Sequence, residues 1–138
     1  MVKRGEIYQH AAYMYPAGNT VSKLIIVLNN PKLESDPIIV VPTTTNKNVP
    51  DYPEGCSERD LIFHIKGNKD FFQSNTFIQL SILNGSNPVS QNLFRTLNDR
   101  KIIKYKGKLK EDTLNRLIGC IKIKKEDIDQ DIFALIFA

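Results

Sequence analysis

Leu24-Ile25-Ile26-Val27-Leu28-Asn29-Asn30 and Ile38-Ile39-Val40-Val41-Pro42-Thr43-Thr44-Thr45 are the two stretches whose reading decides the fold. Each is a short run of β-branched and aliphatic residues bounded by turn-formers, so each reads as a strand. Leu24 to Leu28 is apolar on both faces, which suits a central strand. Asn29-Asn30-Pro31 stops it, and Glu34-Ser35-Asp36-Pro37 leads into the second. Both strands end in small polar residues. The expectation is that these amides and hydroxyls gather at one end of a sheet. There they would sit beside the basic opening Val2-Lys3-Arg4-Gly5-Glu6-Ile7-Tyr8 and suit an anionic polymer.

Outward from this pair the chain remains strand-like. Glu6 to His10 is a short strand, followed by a loop from Ala11 to Ser22 with the turn cluster Pro16-Ala17-Gly18-Asn19. A polar connection covers Asn46 to Glu58. Leu61 to Ile65 and Thr76 to Leu80 read as strands, with Lys66-Gly67-Asn68-Lys69 turning between them. Asn84-Gly85-Ser86-Asn87-Pro88 breaks the chain before a last strand, Lys101 to Tyr105. Helices come late. Leu114, Leu117, Ile118 and Ile121 line one face of a helix over Asp112 to Ile121. Ile128, Ile132, Leu135 and Ile136 suggest another over Glu126 to Phe137, although Phe133-Ala134-Leu135-Ile136-Phe137 also suits a strand. The fold class is mainly β: a small barrel carrying one or two C-terminal helices.

At 138 residues, the chain reads as a single domain, 1–138, able to bury a core. A hydrophobic content of 41% with 25% charged residues is ordinary for a soluble protein. There is no signal-peptide pattern and no apolar run near the roughly 18 residues of a membrane helix, so no membrane association is expected. Cys56 and Cys120 are too few for a disulfide framework and lack metal-ligand spacing, and the only histidines are His10 and His64. The expectation is a reducing cytoplasm, no metal and no cofactor, with Cys56 a loop thiol and Cys120 a core-facing helix residue. A formal charge of +4 gives a mild bias toward anionic partners. Lys101, Lys104, Lys106, Lys108 and Lys110 form a stripe that is either a solvated edge strand or a phosphate-contacting face.

The basic-Gly-Glu-Ile-aromatic opening, the strand 24–30 and the strand 38–45 ending in hydroxyls together resemble the MazF/PemK/Kid family of type II toxins. Lys108-Leu109 leading into an amphipathic helix agrees with that order. The clear resemblance covers about the first 45 residues. It implies an SH3-like β-barrel of the MazF/PemK/CcdB type and a cytoplasmic, metal-independent endoribonuclease acting on single-stranded RNA. It further implies a homodimer within a toxin-antitoxin system, held inactive by a small acidic antitoxin. Members usually pair an arginine ahead of the second strand with a threonine at the end of the third. Carried over residue by residue, the threonine falls on Thr44, with Thr43 and Thr45 as register alternatives. The arginine's place is Ser22, followed by Lys23, which is a departure.

Cleavage of this kind needs a proton acceptor, a proton donor and positive charge on the phosphate. The expected catalytic residues are Thr44, Lys23 and His10: a hydroxyl donor, an ammonium in place of the guanidinium, and an imidazole that titrates near neutrality. Lys3, Arg4, Tyr8, Ser22, Thr43 and Thr45 are the expected RNA-binding residues, with Tyr8, Tyr13 and Tyr15 as stacking faces or as packing. Each has a plainer reading. Thr44 would be a strand-end hydroxyl, His10 a surface residue, Lys23 and Arg4 surface cations, and His64 a locally bonded sheet residue. A non-catalytic barrel that binds nucleic acid or a protein is the alternative from another class, supported by the missing arginine at Ser22.

Overall fold

The protein is described from a computed structural model covering residues 2–15, 17–45, 52–85 and 88–138. Pro16 of the turn cluster, 46–51 of the polar connection and 86–87 of the chain break lie outside the described residues. Seven strands form one antiparallel sheet: β1 Glu6–Met14, β2 Thr20–Val27, β3 Val40–Thr44, β4 Gly55–Cys56, β5 Ile62–Ile65, β6 Thr76–Gln79 and β7 Ile103–Lys108. Their order is β4-β5-β6-β3-β2-β1-β7, so β2 and β3 are interior, in keeping with the apolar runs at 24–28 and 38–42. The lysine-bearing β7 is an edge strand, where lysine discourages pairing with another chain.

Three α-helices cover the sheet: α1 Gln91–Asp99, α2 Glu111–Ile123 and α3 Gln130–Ile136. The apolar stripe of α2 packs Leu117, Cys120 and Ile121 into the main core with Ile7, Ile26, Leu28, Val41, Phe63 and Ile78. Glu111 and Asp112 lie in its first turn and Lys122 in its last, complementing the helix dipole. The second candidate helix is shorter than expected and helical rather than extended. Asp129 caps α3 by accepting from the Asp131 and Ile132 amides at 2.9 and 3.1 Å.

Helix α1 was not expected. It carries only Leu93, Leu97 and Phe94 as apolar residues, and Ser90 caps it through its hydroxyl, 3.1 Å from the Leu93 amide. Phe94 closes a second cluster with Tyr8, Ile25, Val27, Ile38 and Ile103 on the opposite face of the sheet. The first loop is also largely strand. Ala11 to Met14 and Thr20 to Lys23 extend β1 and β2 into a long hairpin with an irregularity between His10 and Tyr13.

The cysteines correct the sequence reading. Cys56 is not a loop thiol: it sits in β4, bonded to Cys120 of α2 across a separation of 64 residues. Neighbouring residues in sequence carry no trace of so distant a pairing. A bonded pair suits oxidising conditions, so the cysteines do not carry the cytoplasmic expectation. No helix among the described residues is long and apolar enough to cross a membrane.

Candidate functional site

The strand ends do not gather as expected. β2 and β3 are antiparallel, with Ile25 opposite Pro42 and Val27 opposite Val40. Asn29-Asn30 therefore lies at the opposite end of the sheet from Thr43-Thr44-Thr45. β1 is antiparallel to β2, so the basic opening meets the asparagines and not the threonines. From Leu28 back to Lys23 is about 17 Å along the strand.

At the asparagine end the polar groups serve the fold. The Arg4 guanidinium donates to the Leu28 carbonyl at 2.9 Å and to the Ile136 carbonyl at the end of α3. The Arg4 amide donates to the Asn30 side-chain oxygen at 2.8 Å. Burial holds the Arg4 pKa below its ordinary value. Gly5 has φ +92°, a backbone conformation that favours glycine, and it lies against the Leu114 side chain of α2. Asn29 is buried and braces the β2–β3 connection, donating to the Pro37 carbonyl at 2.9 Å and accepting from the Ile39 amide at 2.8 Å. Lys3 is exposed, and its amide donates to Glu6 at 2.8 Å. Arg4 and Lys3 thus stand away from His10, Lys23 and Thr44, and Arg4 is committed to α3.

At the hairpin end, three candidates share one face. His10 lies opposite Lys23, in step with Tyr8 opposite Ile25 on the α1 side of the sheet. Continuing the β2–β3 register by two residues puts Lys23 beside Thr44. The Thr43 hydroxyl, donating to the Leu24 carbonyl at 2.8 Å, fits the same register. His10, Lys23 and Thr44 therefore form a row across β1, β2 and β3. Thr44 in turn pairs with Phe77 of β6, and Phe77 with His64 of β5.

Of this row, His10 lines a cavity of about 510 Å³ under α1. Ile25, Val40, Phe94 and Ile103 line it, and His10, Tyr13 and Tyr15 stand at its hairpin side. That size lies within the range of small-ligand sites. Nδ1 of His10 accepts from the Ala12 amide at 3.1 Å, so the neutral ring carries its proton on Nε2. Burial lowers the His10 pKa from 6.5, which keeps that tautomer populated. Tyr13 meets His10 edge-on at 5.8 Å and Tyr15 at 5.3 Å. Burial, with Tyr15 adding to it, pushes the Tyr13 pKa up to about 12. Lys23 is half-buried and has no hydrogen-bond or ion-pair partner among the described residues.

The other candidates are placed differently. Thr43 is buried with its hydroxyl occupied. Ser22 accepts from Gln9 Nε2 at 2.6 Å on the exposed side of the hairpin. Tyr8 is buried against Phe94 and Tyr105, and its hydroxyl donates to Glu6 at 3.0 Å. Burial raises its pKa, with the Glu6 hydrogen bond adding to the shift. Thr45 is exposed at the end of β3. Among the described residues, no three His, Cys, Asp or Glu side chains come together as a metal-binding group. Sequence reasoning missed the α1 wall of the cavity. Its available signal was Ser90 as a cap, with Leu93, Phe94 and Leu97 behind it.

Comparison with protein families, with curated proteins and with solved structures finds no match.

Proposed function

We propose that the chain is a MazF/PemK-like toxin with an SH3-type barrel, a metal-independent endoribonuclease that cuts single-stranded RNA at the hairpin end of its sheet. The observation that carries this is the row of His10, Lys23 and Thr44 on one face, with His10 at the side of a cavity of nucleotide-compatible size. Lys23 supplies the charge that holds the phosphate, as a point charge where a guanidinium would grip in two places. The Thr44 hydroxyl donates to a phosphate oxygen and Nε2–H of His10 hydrogen-bonds the departing 5′-oxygen, while solvent water takes the 2′-hydroxyl proton and returns one to the 5′-oxygen. A base of the single strand enters the cavity against Tyr13. By the same reading the protein is a cytoplasmic homodimer controlled by a small acidic antitoxin. Inducing the chain in cells and mapping RNA 5′ ends tests it: growth arrest with new, sequence-defined ends is expected. A folded, expressed protein that yields neither removes the nuclease claim.

One observation favours a second reading, binding without cleavage. The acceptor nitrogen of His10 is occupied by Ala12, and Arg4, just ahead of β1, is committed to the Leu28 and Ile136 carbonyls. The row then holds donors and a cation but lacks a proton acceptor of its own. Under that reading RNA or a protein partner is captured, and Thr44→Ala leaves capture unchanged.

A further inference from the structure

His64 has a property that local sheet packing does not explain. Its ring is only 7% exposed, and Nε2 is buried without a hydrogen-bond partner among the described residues. Leaving a buried acceptor unmet is unfavourable, and native structures reserve such atoms for a ligand, a water or chemistry. Nδ1 lies 3.0 Å from the Tyr52 carbonyl, which can only accept, so Nδ1 carries the proton and Nε2 presents a lone pair. The tautomer is held from several sides. Tyr52 is anchored through its hydroxyl to Asp60 at 2.9 Å, and Gly55 of β4 pairs with His64. The next residue, Cys56, is bonded to α2.

The ring also has a defined neighbour. His64 stacks on Phe77 at 4.6 Å with an interplanar angle of 18°, and Phe77 pairs directly with Thr44. Strand spacing puts His64 about 10 Å from Thr44, on the continuation of the same row. We propose that Phe77 and His64 form the next step of an RNA track, in which His64 Nε2 accepts a hydrogen bond from a ribose 2′-hydroxyl. This rests on the RNA reading of the row and assigns the residue that tells RNA from DNA. Nε2 is covered, so a 2′-hydroxyl reaches it only through a local opening that leaves the Tyr52–Nδ1 bond and the Cys56–Cys120 bond in place.

The test compares binding of a mixed-sequence RNA dodecamer and its DNA counterpart, by stopped-flow anisotropy, to the full chain and to His64→Phe. The wild type should prefer RNA by about tenfold, the worth of one hydrogen bond. His64→Phe should lose that preference while keeping its DNA affinity. As a check independent of the variant's folding, ¹⁵N NMR of the wild-type histidines should show the Nδ1–H tautomer at His64. Its Nε2 resonance should move on adding RNA and stay in place on adding DNA. If RNA binds and the preference survives in His64→Phe, or Nε2 does not respond to RNA in the wild type, the assignment of His64 fails alone. If the wild type binds no RNA, the reading of the row fails and takes this assignment with it.

Discussion

The two ends of this sheet carry similar polar residues and use them in opposite ways. At the asparagine end, Arg4, Asn29 and Asn30 spend their polar groups on carbonyls and amides that fasten β1, β2, β3 and α3 together. At the hairpin end, Lys23 has no partner among the described residues, and His10 lines a cavity with an Nε2 that no described residue bonds. A cationic residue near a polar cluster is therefore weak guidance to a site. What distinguishes a candidate site is polar capacity that the fold has not consumed.

The comparison can be broken by substitutions whose effects separate stability from RNA action. The largest stability effect should come from the disulfide, which closes a loop of 64 residues and should contribute about 4 kcal/mol by constraining the unfolded chain. Urea unfolding of Cys120→Ala, or of the reduced protein, measures this, and an unchanged midpoint would show that the bond constrains nothing. Arg4→Met comes next, at about 3 kcal/mol, because it orphans two carbonyls and frees α3. RNA affinity per folded molecule should not change, and a selective loss of RNA affinity at intact stability would return Arg4 to the site. Thr43→Val should cost about 1 kcal/mol through the lost bond to the Leu24 carbonyl, again without a specific effect on RNA.

The smallest effect is a pH dependence. Burial lowers the His10 pKa from 6.5, so the unfolded chain takes up the proton first. The His10 contribution is complete above 6.5 and is lost as pH falls through the folded-state value. Stability measured by thermal melts from neutral to acidic pH should decline less in His10→Gln. Parallel curves for the two proteins would show that His10 does not titrate differently in the folded state.

Much of the fold was legible because its central elements are locally determined. The runs at 24–28, 61–65 and 76–80 are apolar enough to read as strands alone, and the α2 stripe repeats at helical spacing. The hairpin extension was not legible, since Ala11 to Ser22 lacks alternation and its pairing depends on tertiary contact. Helix α1 was hidden by having three apolar residues in nine. The candidate site was half legible. His10, Lys23 and Thr44 were readable as residue types in order, but a strand sequence does not state the direction of its neighbour. That direction moved Arg4 and the asparagines to the far end. The Cys56–Cys120 bond and the unmet nitrogen of His64 are likewise properties of three-dimensional neighbours.

The central claim is that RNA is acted on at the hairpin end, and Lys23 tests it most directly because its ammonium has no partner among the described residues. Purified wild type and Lys23→Ala should be compared on single-stranded RNA in chelator, with unfolding followed in parallel. The substitution should change stability by no more than about 0.5 kcal/mol. Discrete cleavage should slow by about a hundredfold, in line with losing transition-state charge stabilisation. The salt slope of RNA binding should fall by about 0.7, one phosphate contact on a single strand. Equal cleavage and an equal salt slope in the two proteins, both folded, would contradict the account.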